Sequence, residues 1–180
     1  RDATALDAAA AGLANVRAVP GDVTDPGHRA AVVAAAGERL DLLVHNASEL
    51  GPSPLPTLAA YRLDALRRVY EVDVLAPVAL TQLALPALQR APAPTVVVLS
   101  SDAAVEAYPG WGGYGPAKAA LDHVAAVLQV RDVVGDRDRL EHGLVGVDLG
   151  RRQEALLEAI DLDLGRPGLA RRVDHLERAA

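Results

Sequence analysis

Residues 100–121 read SSDAAVEAYPGWGGYGPAKAAL, and they decide how the rest of the chain is organised. They follow TVVVL (95–99), a β-branched run bounded on its N-terminal side by the Pro-rich Ala91–Pro94, which predicts a strand. Ser100 to Gly113 is rich in Gly and small residues and predicts a loop, and Tyr114 to Val134 then predicts a helix. Tyr114 and Lys118 are four residues apart at the start of that helix, so their side chains share one face, one turn apart. An ammonium held there stabilises a phenolate and draws the Tyr pKa from its ordinary value near ~10 toward neutrality, where the group can serve as general acid or base. Ser101 leaves the strand 13 residues before Tyr114, at the carboxyl edge where ligands bind in an open parallel sheet.

Working outward, short β-rich runs alternate with helical stretches, which predicts an α/β domain built on a parallel sheet. Asp2 to Leu13 predicts a helix, Asn15 to Val19 a strand, and Asp25-Pro26-Gly27 a capped start for a helix through Ala36. Leu40 to Val44 (LDLLV) predicts a buried strand, followed by a Gly/Pro/Ser loop from Ser48 to Pro56. A long helical stretch is expected from about Thr57 to Gln89, kinked or broken by Pro77 and Pro86. Leu144 to Val147 predicts a further strand. Residues 151–180 carry two amphipathic helical patches split by Gly165-Arg166-Pro167-Gly168. With no repeats and no low-complexity linker, residues 1–180 are expected to form one domain.

Composition narrows the chemistry. A net charge of -6 argues against a nucleic acid or an anionic membrane held by charge. The absence of Cys excludes disulfides, thiolate metal sites and a cysteine nucleophile, and five scattered His without ligand spacing predict no metal site. No run of ~20 uninterrupted apolar residues and no charged n-region with an h-region occurs, so a soluble, cytoplasmic protein is expected. There is no Met, even at position 1, so the chain is expected to lack its natural start. Of 18 Lys and Arg only Lys118 is Lys, which asks why Arg would not serve there.

With strand, Ser-Ser, small-residue loop, Tyr and Lys in that order, the chain resembles the short-chain dehydrogenase/reductase family in its single-domain branch, clearly up to about residue 150. The resemblance implies a Rossmann-like, doubly wound α/β fold and an NAD(P)-dependent oxidoreductase. Such an enzyme moves a hydride between the nicotinamide and a small-molecule carbonyl or secondary alcohol. It implies Tyr114 as acid/base, Lys118 as the pKa-lowering and ribose-binding group, and Ser101 as the group that holds the substrate oxygen. Asp22-Val23 resembles the family's adenine-binding pair, although on its own an Asp-Val after a strand is more often an ordinary loop or helix cap, here before the Asp25 cap. His45-Asn46-Ala47-Ser48 resembles the segment whose small residues approach the cofactor ribose, with Asn46, Ala47 and Ser48 as cofactor contacts. Two departures occur there: His45 replaces Asn and Ser48 replaces Gly. His45 is expected to be a buried, hydrogen-bonded histidine.

A third departure is Asp73 in Glu71-Val72-Asp73-Val74, where the family has an Asn that helps hold a water linked to the lysine. Asp73 is the fourth candidate catalytic residue, and its charge can either hold the Lys118 ammonium or compete with its effect on Tyr114. Val147-Asp148-Leu149-Gly150 resembles the family's Pro-Gly turn with Leu149 for Pro, which puts Gly150 beside the cofactor. Beyond it the tail is unlike the family, and reads as solvated packing helices or as a substrate lid. The family's first two strands and Gly-rich turn would precede Arg1. The chain as it stands is therefore expected to bind dinucleotide poorly. Arg1, just after the second strand, favours NADP over NAD if it reads the 2′-phosphate. A homo-oligomer is compatible with this reading. A non-catalytic relative, kept as a nucleotide-binding or interaction subunit, is the alternative that the departures favour.

Overall fold

The computed structural model describes residues 2–131 and 145–147. Three strands form a parallel sheet in the order β1 (Leu42–His45), β2 (Thr95–Leu99), β3 (Val145–Val147). Leu43 pairs with Val96, His45 with Val98, and Leu99 with Val147. Leu43 and Val96 meet Ala84 and Leu88 of α4 (Ala76–Leu88), with Val33 of α2 (Pro26–Ala36) packed against them. Two residues further along β2, Val98 meets Leu121 and Ala125 of α5 (Tyr114–Arg131). Alternate residues of β1 lie on the opposite face, where Leu42 and Val44 are 38% and 46% exposed. The result is the Rossmann-like parallel α/β architecture expected from the sequence.

The helix starts follow their capping chemistry. Asp2 accepts from the Ala5 N–H at the start of α1 (Ala3–Ala10), and Asp25 accepts from the Gly27 N–H with Pro26 in the first turn of α2. The predicted strand at Asn15–Val19 does not form. Its ladder bonds have no partner strand among the described residues, and Asn15 sits at φ 66, outside the β region.

The expected helix over Thr57–Gln89 is subdivided. A 3-10 turn (Leu58–Ala60) precedes α3 (Leu63–Tyr70), and a π turn (Glu71–Leu75) joins α3 to α4. Pro77 has no N–H for a bond to the Asp73 carbonyl, and the Ala76 N–H instead reaches back to Glu71 O, closing the wider π ring. Pro86 is accommodated near the end of α4. Leu63–Leu88 is long and apolar enough by composition to cross a membrane, but half of that window is buried inside the molecule, as in a core helix. The loop expected over Ser100–Gly113 includes a 3-10 turn at Asp102–Ala104. Arg1, Gly150 and the 151–180 tail lie outside the described residues.

Candidate active site

The carboxyl ends of β1 and β2, the π turn and the start of α5 converge on Lys118. The π turn buries three consecutive residues, Val72, Asp73 and Val74, where an α-turn would direct them over a wider arc. Asp73 is thereby fully enclosed. Lys118 is 2% exposed and donates to the Leu99 carbonyl at the end of β2 at 2.9 Å. Its Nζ lies 3.6 Å from Asp73 Oδ1 and 5.4 Å from the centre of the Tyr114 ring. The ammonium has three donors, and the Leu99 carbonyl and Asp73 account for two of them.

Burial pushes the Lys118 ammonium below the ordinary lysine range, opposed by the charges of Asp73 and Asp122. Burial likewise pushes the Asp73 carboxyl up, opposed by the Ser48 hydroxyl and by Lys118. Ser48 Oγ donates to Asp73 Oδ1 at 2.6 Å, and the Glu49 N–H approaches both carboxylate oxygens at 3.2 and 3.3 Å. A buried ion pair is a poor source of stability, since desolvation consumes most of its Coulomb attraction. This one is held by donors on the carboxylate side and by a carbonyl on the ammonium side.

Tyr114 sits where α5 begins, its ring edge-on to Trp111 at 5.6 Å. Gly115 brings this helix start against the Asp102–Ala104 turn: a Cβ there would stand 2.5 Å from the Ala103 carbonyl oxygen. Gly113 does the same for buried Tyr61, whose hydroxyl would meet a Cβ at 2.5 Å. The Ser101 loop is thus clamped to the start of α5. Ser101 Oγ accepts from the Ala103 N–H at 3.2 Å and donates to Asp102 Oδ1 at 3.0 Å. Asp102 in turn accepts from the Tyr108 hydroxyl at 3.0 Å, which with Ser101 holds its carboxyl below the usual carboxylate range.

A small cleft of about 60 Å³ brings Val23, Asn46 and Ala47 together with Val44, Val72 and Pro77. Asp22 accepts from the Thr24 N–H and hydroxyl and from Arg68 of α3 at 2.7 Å; the backbone donor first and Arg68 second hold it far below its ordinary pKa. His45 is buried, hydrogen-bonded to Thr81 at 2.8 Å, and pushed down to about 4 by burial. It is the packed, satisfied histidine expected. Of the residues singled out from sequence, Tyr114, Lys118 and Asp73 form one cluster with Ser101 on the adjoining turn, and Val23, Asn46 and Ala47 form another. Ser48 joins the first cluster through Asp73 rather than the second.

Three features were missed from sequence: the Leu99 carbonyl as the Lys118 acceptor, Asp102 with Tyr108 as the orienting pair for Ser101, and the Ser48–Asp73 bond. The signal for the last was the pair of departures at positions 48 and 73. Among the described residues no cluster of His and carboxylates could hold a metal.

Comparison with known proteins bears on the family and the fold. Residues 1–131 match the profile of the family described as short chain dehydrogenase. The uncharacterised oxidoreductase YIR035C of Saccharomyces cerevisiae is 31% identical over 134 residues, covering 73% of this chain and 52% of the relative. The benzil reductase ((S)-benzoin forming) IRC24 of the same yeast is 34% identical over 110 residues, covering 58% and 42%. The chain thus spans about half the length of these relatives. The NADPH-bound carbonyl reductase from chicken fatty liver superposes with a TM-score of 0.64 at 27% identity, over 81% of this chain and 61% of that structure.

Proposed function

The chain belongs to the short-chain dehydrogenase family, and from that premise we propose that it is a cytoplasmic NAD(P)-dependent carbonyl reductase with Tyr114 as its general acid. The observation that carries this reading is the buried Lys118 ammonium 5.4 Å from the Tyr114 ring, one helical turn away at the edge of the sheet. In carbonyl reduction the carbon gains a hydride and the oxygen a proton. Tyr114 gives its hydroxyl proton to that oxygen, and the Lys118 charge stabilises the phenolate left behind. Ser101, once its hydroxyl turns from Asp102, donates a hydrogen bond to the same oxygen. Asp73 holds the ammonium from the far side.

The residues present would hold the ribose of a nicotinamide dinucleotide; among the described residues none forms a turn for its pyrophosphate, in line with the weak dinucleotide binding expected of this chain. Val23, Asn46 and Ala47 share one cleft, where Ala47 would let a ribose approach the backbone, and the third Lys118 donor would serve a ribose hydroxyl. Asp22, Arg1 and Gly150 complete the proposed cofactor set, while Ser48, expected there too, is engaged by Asp73 instead. When bound, the reduced nicotinamide supplies the hydride. The NADPH-bound avian reductase supports NADP as the form used. The yeast benzil reductase supports an aromatic diketone as a first substrate to try.

The test is reduction of benzil with NADPH and with NADH, each raised to saturation because weak binding is expected of this chain, followed by loss of the reduced cofactor and by the alcohol formed. Turnover that favours NADPH is expected, and none with either cofactor overturns the proposal. One contact favours a second reading, a nucleotide-binding relative without turnover: the single Ser101 proton is already given to Asp102. NADPH binding without alcohol formation is the result expected of that reading.

A further inference from the structure

Ser48 and Asp73 are 25 residues apart in sequence, yet they meet at 2.6 Å. The oxygen that accepts the Ser48 hydrogen bond, Asp73 Oδ1, is the one that faces Lys118 Nζ at 3.6 Å. Asp73 and Lys118 are 0% and 2% exposed, so neither charge has bulk water to fall back on. Left alone, such a pair gains little from ionising. The donors on the carboxylate change that balance. An ionised carboxylate only accepts, and here it has the Ser48 hydroxyl and the Glu49 N–H to accept from. A protonated Asp73 would carry a donor of its own into a place already supplied with donors.

We propose that Ser48 and Asp73 act together as positioning residues for Lys118, the Ser48 hydroxyl holding Asp73 as the anion that anchors the ammonium between the Leu99 carbonyl and the Tyr114 ring. The proposal rests on the reading of Tyr114 and Lys118 as the acid–base pair. The other groups facing the pair are Glu49 beside Asp73, and Tyr114 and Asp122 on α5. Asp122 also favours the ammonium, and accepts from the Ser100 hydroxyl at 2.6 Å. Ser48, by contrast, touches the ammonium only through Asp73.

Lys118 is the single lysine of the chain, so protein labelled with nitrogen-15 at the lysine side chain gives one ammonium resonance to follow with pH. Two steps are expected: a small acid step as Asp73 takes a proton, and a large alkaline step as Lys118 loses its own. Asp73→Asn removes the acid step, which separates it from any contribution of Asp122, and lowers the alkaline midpoint because the ammonium loses its counter-ion. Ser48→Ala moves the acid step up by about one pH unit, tenfold in the protonation constant or ~1.4 kcal/mol. It leaves the alkaline step in place, because Asp73 is an anion on both sides of that step. Ser48→Thr keeps the wild-type positions. The retained alkaline step also shows that the Ser48→Ala protein is folded. An acid step unmoved by Ser48→Ala, or an alkaline midpoint unmoved by Asp73→Asn, overturns the proposal. No turnover enters this test, so a failure of the acid–base reading would appear separately, as activity that survives loss of the Tyr114 hydroxyl.

Discussion

Lys118 is the one basic position at which this chain does not use Arg. Its surroundings give a reason: the ammonium is enclosed, gives one proton to Leu99 O, meets Asp73, and stands over the Tyr114 ring. A guanidinium is planar and larger, and spreads its charge over several donors, so it cannot occupy that point. Lys118→Arg is therefore expected to lower kcat/KM for carbonyl reduction at least ~100-fold, about 2.7 kcal/mol of transition-state stabilisation, although a positive charge is retained. Steady-state kinetics of the two proteins check this, and near-equal values would reduce Lys118 to a helix residue.

His45 offers a second test at the same scale. Its folded pKa of about 4 lies below the ordinary 6.5, so the fold holds the neutral ring. As pH falls below 6.5 the unfolded chain takes up a proton that the folded one refuses, and the stability this provides is lost progressively down to about pH 4. The loss amounts to about 3 kcal/mol. Urea unfolding at neutral and acid pH should show a shallower decline in His45→Gln, which keeps a partner for Thr81. An equal decline in the two proteins would refute the assignment.

The elements of the site depend on close approaches more than on apolar area. The clearest is Gly115, where α5 meets the Asp102–Ala104 turn. A methyl group at 2.5 Å from backbone oxygen cannot be relieved by rotating a side chain, so one element must move. Gly115→Ala should cost about 1–3 kcal/mol, read by thermal or urea unfolding, and should impair carbonyl reduction by shifting Tyr114 relative to Ser101. An alanine variant as stable and as active as wild type would show that the approach is not needed.

The elements also show what can be read from a sequence. β2 was evident from four β-branched residues and flanking prolines, and the Asp25 cap from Asp-Pro-Gly. The Tyr114/Lys118 pairing followed from helical spacing alone. The π turn was not evident. Pro77 announced an irregularity, but whether a helix answers a missing N–H by kinking, breaking or widening depends on what packs beside it, here α5 with Ala117 against Val69 and Val74. The Ser48–Asp73 bond was hidden for a similar reason. Each residue could be singled out as unusual, but contact across 25 residues depends on the depth at which the π turn sets Asp73.

Among the described residues, the parallel sheet with its helices brings Asn46, Ala47, Asp73, Ser101, Tyr114 and Lys118 to one edge. β1 ends in the Asn46–Ala47 cleft, β2 ends at the Ser101 turn, and the helical run 63–88 fills the space beneath them with Asp73. The failed Asn15–Val19 strand marks the limit of local reading: β-rich composition makes a strand only when a neighbour takes its ladder bonds. The central claim of the proposed function is that the Tyr114 hydroxyl gives the proton that completes carbonyl reduction. The most direct measurement is NADPH-dependent reduction of benzil by the wild-type protein and by Tyr114→Phe, which keeps the ring against Trp111 and removes only the hydroxyl. A fall in kcat/KM of at least ~1000-fold, about 4 kcal/mol, with NADPH affinity retained is the expected result. Comparable turnover in the two proteins would contradict it.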